Sequence, residues 1–76
     1  MKIGKRVRIK QDADIFNLTK VCAGETGTVV AGDEDSTVVG YIKLDKEHFW
    51  LKEWNNVLHV FSPEDGEVTW DMFEEV

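Results

Sequence analysis

One cysteine, one proline and no long apolar run set the first limits on this chain of 76 residues. A lone Cys22 excludes an internal disulfide, so a domain near the lower size limit must fold on a small core of large side chains. No stretch approaches the roughly 18 apolar residues of a spanning helix, and the opening MKIGKRVRIK lacks the apolar middle of a secretory signal. The reading is a cytoplasmic protein without membrane contact, in which Asn17-Leu18-Thr19 has no use as a glycosylation acceptor. Basic charge is scarce beyond the start. Lys2, Lys5, Arg6, Arg8 and Lys10 precede every acid, and the net charge is −6. Such a chain is repelled from phosphate backbones and anionic lipid, although a local basic stripe can still meet an anion. No internal repeat, linker or low-complexity segment divides it, so residues 1–76 form one domain.

What is present reads as strands. Val7 and Ile9 alternate with Arg6, Arg8 and Lys10, the period of a strand with one buried face. Residues 11–24 form a long first loop whose Ile15, Phe16, Leu18, Val21 and Cys22 are apolar enough to fold back over the core. Thr26 to Ala31 and Thr37 to Leu44 are rich in β-branched residues, and the turn residues Gly32-Asp33-Glu34-Asp35-Ser36 between them predict a hairpin. Val57 to Phe61 is a further strand, ended by Ser62-Pro63-Glu64-Asp65-Gly66. The closing segment is too short for an ordinary helix. Trp70-Asp71-Met72-Phe73 suits a 3₁₀ turn, after which Glu74 to Val76 pairs with the first strand.

Gly4-Lys5-Arg6-Val7-Arg8-Ile9, Ala23-Gly24-Glu25-Thr26-Gly27-Thr28-Val29-Val30 and Tyr41-Ile42-Lys43-Leu44-Asp45 together resemble an SH3-like small barrel. The pattern is shared by KOW-type ribosomal and transcription modules, PsaE-like photosystem subunits and many uncharacterised small proteins of phages and bacteria. It covers roughly residues 4 to 45. The resemblance implies an all-β, five-stranded SH3-like domain with a long first loop and a 3₁₀ turn before the last strand; it implies fold far more than activity. Gly24 and Gly27 fit positions where a side chain would obstruct a bent strand. A plasmid-type dihydrofolate reductase shares this fold and lines its pore with Val-Gln-Ile-Tyr. The corresponding Leu58-His59-Val60-Phe61 lacks both the amide and the phenol, which argues against an enzyme.

No constellation carries chemistry on its own. Cys22 has no local partner motif, and His48, His59 and Cys22 share no zinc-type spacing. Asp33-Glu34-Asp35 lacks the spread of oxygen ligands of a calcium loop and reads as a solvated turn. Catalytic residues, a metal and a cofactor are therefore not expected. Arg6, Arg8 and Lys10 are the residues by which a KOW-like module would bind nucleic acid, but Glu74 and Glu75 on the adjacent strand offer cross-strand ion pairs instead. An acidic inhibitor that mimics nucleic-acid charge is also compatible with the composition.

The stretch KLDKEHFWLKEWNN, Lys43 to Asn56, places Phe49, Trp50 and Trp54 among charges. Read with period two it is a strand; read with the helical period it stacks Trp50 and Trp54 beside Leu51. In one reading Phe49 and Leu51 cap the barrel while Trp54 and Trp70 fill it. In the other, Tyr41, Phe49, Trp50 and Trp54 form a binding surface for a protein or peptide, a second copy of the chain included. The expectation is a non-catalytic interaction module of phage, mobile-element or bacterial type, with nucleic-acid binding as the alternative.

Overall fold

Strand β1 (Arg6–Ile9) buries Val7 and Ile9 and exposes Arg6 and Arg8, as their alternation requires. It pairs antiparallel with β4 (Thr26–Val30) on one side and with the last strand, β7 (Phe73–Glu75), on the other. Strand β5 (Val38–Leu44) pairs with β4 and with β6 (Val57–Phe61). The resulting sheet is antiparallel throughout, with strands in the order β6-β5-β4-β1-β7, so β6 and β7 are its edges. The computed structural model describes residues 2–16, 19–32 and 37–76. Asp33, Glu34, Asp35 and Ser36 of the expected turn, and Leu18 of the first loop, lie outside the described residues.

The long first loop is not irregular. It contains a hairpin of β2 (Ala13–Phe16) and β3 (Thr19–Val21), with a register shift between Asp14 and Phe16. Asp12, Asp14 and Asn17 disfavour strand and mask the pairing in the sequence. The turn from β3 into β4 needs a left-handed residue, which Gly24 supplies at φ 93°. Gly27 is required for another reason: a Cβ there would lie 2.6 Å from the Lys43 carbonyl oxygen and 2.7 Å from Ile42 Cγ2. Gly40, beside the register shift in β5, leaves room for the Trp70 ring.

Among the described residues, two 3₁₀ helices interrupt the strands. The first, η1 (Phe49–Trp54), fills the connection between β5 and β6; the second, η2 (Trp70–Met72), directly precedes β7. The core joins Val7, Ile9, Val29, Ile42, Leu44, Leu58, Val60 and Phe73 with Ala13 and Val21 of the hairpin, Leu51 of η1, and Val68 and Met72. Trp50 and Trp70 pack against it from the rim. Val38 and Phe61 are only half-buried; the inward positions of β6 are Leu58 and Val60. No helix among the described residues is long and apolar enough to cross a membrane.

Candidate functional site

With three residues per turn, a 3₁₀ helix aligns positions i and i+3. In η1 this puts Leu51 and Trp54 on one side, and Leu51 enters the core while Trp54 covers the outer face of β6. Trp54 is 57% exposed and does not fill the core; Phe49 is 87% exposed and does not cap it. The core-filling arrangement is corrected for both residues, since Leu51 is the buried residue of this helix and Trp50 only packs against the core from the rim. Trp50 is half-buried, its ring 5.3 Å from that of His48.

Both ends of η1 are tied down. At its start, His48 Nε2 and Glu25 Oε1 are 2.7 Å apart with side chains only 9% and 10% exposed. Glu25 also accepts the Cys22 N–H through its other oxygen. At its end, Asn55 and Asn56 both adopt left-handed backbone, at φ 55° and 61°. Asparagine tolerates this region better than most residues. The Asn56 side chain accepts the His48 N–H and donates to the carbonyls of Leu44 and Lys46, each at 2.9 Å. A single amide thus closes the whole excursion from β5 to β6.

On the outer face of β5 and β6, His59 is the centre of an aromatic group. Tyr41 stands opposite it in register, and the rings of Tyr41 and Trp54 each meet His59 edge-on at 5.2 Å. Phe61 lies further along, 6.4 Å away between centroids. Beside this group runs a groove of about 230 Å³, lined by Trp50, Leu51 and Trp54 of η1, by Val57, Leu58, His59 and Phe61 of β6, and by Val68. Tyr41, Trp50 and Trp54 therefore belong to one region of the surface. Phe49 faces a separate, polar recess with Lys43, Asp45, Glu47 and Lys52. Sequence reasoning did not include His59 and Phe61 in the site, although both are half-buried on the face opposite Leu58 and Val60; the signal was their alternation with those two residues along one strand.

The basic stripe is largely engaged. Arg6 makes a two-pronged ion pair with Asp45 and also donates to Thr28 Oγ1 at 2.9 Å. Arg8 faces Glu74 across the strands, as expected, and donates to it through Nε and Nη2 at 3.0 and 2.7 Å. Lys10 is exposed. Cys22 is also exposed, and no group of three or more metal-ligating side chains gathers among the described residues.

The Arg6 hydrogen bonds, joined by one from Thr26 Oγ1 at 2.6 Å, hold the Asp45 carboxyl far below the usual aspartate range. Its contribution to stability is fully present above the unfolded value of about 3.9 and is lost as pH falls through the lower folded value. Asp45→Asn should therefore flatten the acid limb: chemical denaturation below about pH 4 should show a shallower fall in stability than for the wild type. An unchanged slope would mean that the pair is fully screened by solvent.

Comparisons of the chain with protein-family models, with curated proteins and with solved structures find no match.

Proposed function

We propose that this chain is a non-catalytic binding module of SH3-like barrel architecture that receives a protein or peptide on the aromatic face of β5, β6 and η1. The architecture is supported by the strand order, by the hairpin inserted after β1, and by the 3₁₀ turn that returns the last strand to the side of the first. The observation that carries the function is the apolar groove beside Trp54, a large ring held more than half exposed by a helix fastened at both ends. Aromatic side chains in such positions supply much of the energy of protein recognition. Nucleic-acid binding through Arg6, Arg8 and Lys10 has less support, because Asp45 and Glu74 already compensate both guanidinium groups.

Trp54→Ala separates recognition from folding. Its ring contributes an edge-on contact with His59 and little core, so the change should lower stability by no more than about 1 kcal/mol, or about 4–8 °C in Tm. Sedimentation and affinity capture should show the wild type engaging a protein or a second copy, and the variant losing that contact. Capture unaffected by the substitution, or no association by the wild type, would overturn the reading. Recovery of RNA or DNA that persists in Trp54→Ala and is released by salt would transfer the function to the basic stripe.

A further inference from the structure

The two edges of the sheet differ. At one, β7 has only three residues and carries Glu74 and Glu75, with Glu74 paired to Arg8. At the other, β6 reads Val-Leu-His-Val-Phe, without lysine, proline or acid. Charges and prolines are common devices against strand addition, and a β-rich edge that lacks them can pair with another chain.

The direction of the backbone groups on β6 follows from two hydrogen bonds. The Asn56 carbonyl accepts the Leu44 N–H at 3.1 Å while its own N–H donates to Leu51 of η1, so along β6 the groups of Leu58 and Val60 turn toward β5. The Phe61 N–H points the other way and donates to the Val68 carbonyl at 2.8 Å. By alternation, the N–H and C=O groups of Val57 and His59 also face outward. Among the described residues no strand meets them there. The groove lies along this edge, between η1 and Val68, with Trp54 and Val57 among its walls.

We propose that an extended peptide occupies the groove as an additional strand on β6, with apolar side chains at alternate positions and lysine or arginine at its ends. The proposal rests on the binding-module reading and specifies the partner's chemistry. Main-chain hydrogen bonds to Val57 and His59 set the register, while the groove accepts every second side chain. The basic ends follow from charge. Glu64, Asp65 and Glu67 are exposed in the segment entering Val68, and Glu64 and Glu67 have no ion-pair partner among the described residues. The net charge of −6 favours a cationic segment and disfavours a second copy.

The test uses the ¹⁵N-labelled full chain and the acetylated, amidated peptide Lys-Val-Thr-Val-Thr-Val-Lys. Two further peptides carry N-methyl groups, one on the amides of alternate residues, the other on the complementary set. On addition of the parent peptide, exchange of the Val57 and His59 amides should slow by about tenfold or more. One methylated peptide should lose at least about tenfold in affinity and its complement no more than about twofold, because only one set of amides faces β6. Replacing the lysines of the probe by glutamate should weaken binding. No binding of the parent, or equal binding of the two methylated peptides, overturns strand addition. Equal binding that still depends on Trp54, with the Val57 and His59 amides unprotected, overturns strand addition alone and leaves the binding-module reading standing. Protection of these amides that rises with protein concentration in the absence of peptide would assign the edge to a second copy and overturn the peptide as occupant.

Discussion

Ile42→Ala should leave little of the folded population. Ile42 is fully buried in β5, directly opposite Val29 of β4 and Leu58 of β6, and so joins three strands on the inner face of the sheet. Truncating a buried isoleucine to alanine costs about 2–5 kcal/mol, through lost transfer energy and an unfilled cavity. A domain below about 80 residues draws only about 3–5 kcal/mol from a single core. The loss is of the same size as the whole. Because Ile42 Cγ2 lies where a side chain on Gly27 would have to go, neighbouring strands are already in close approach and have little freedom to collapse. A urea titration followed by tryptophan fluorescence should show the midpoint falling by about 2 M or more, given a slope near 1 kcal/mol per M. Ile42→Val should cost about 1 kcal/mol and remain folded. An alanine variant within about 1 kcal/mol of wild type would place the centre of the core elsewhere.

Much of the sheet was legible in the sequence because its signals are local. Val7, Ile9, Ile42 and Leu44 alternate with polar residues and are all buried. Trp70-Asp71-Met72 forms the expected 3₁₀ turn directly before β7. The segment from Lys43 to Asn56 was ambiguous for a physical reason. Its period is three, between the two of a strand and the 3.6 of an α-helix, so neither template sorts Phe49, Trp50, Leu51 and Trp54 correctly. The left-handed pair Asn55 and Asn56 ends this helix; in the sequence it reads only as a boundary before β6.

Long-range pairings had no local trace. Nothing near Arg6 marks Asp45 as its partner, and nothing near His48 points to Glu25, because each pair depends on the path of the chain between them. The candidate site has the same origin. Tyr41 and His59 become neighbours through strand register, and Trp54 reaches them only because η1 turns back over β6. The sequence left open whether Phe49, Trp50 and Trp54 pack in the core or form a surface. The fold determines that Trp54 lies beside the groove while Phe49 faces away from it.

Asn56→Ala should detach this arrangement from the sheet. The substitution removes the acceptor for the His48 N–H and the donor to the Leu44 and Lys46 carbonyls. It also places alanine at φ 61°, a region that costs an ordinary L-residue about 1–2 kcal/mol. At about 0.5–1.5 kcal/mol for each lost hydrogen bond, with the exposed one to Lys46 at the lower end, the bonds amount to about 1.5–3.5 kcal/mol, and with the backbone cost the total is about 2.5–5.5 kcal/mol. Asn56→Gly separates the two contributions, since glycine accepts the backbone angle and restores no hydrogen bond; it should recover about 1 kcal/mol relative to alanine. In the glycine variant, hydrogen exchange should show amides of η1 opening more readily than those of β4 and β5, because the Asn56 side chain no longer joins the two ends of the excursion. Once η1 opens, Leu51 leaves the core and Trp54 leaves His59, so affinity for a peptide in the groove should fall while the sheet remains folded. Equal stability of the alanine and glycine variants would remove backbone strain from this account, and an η1 as protected as β5 in both would show that Leu51 packing and the His48–Glu25 pair suffice to hold the helix.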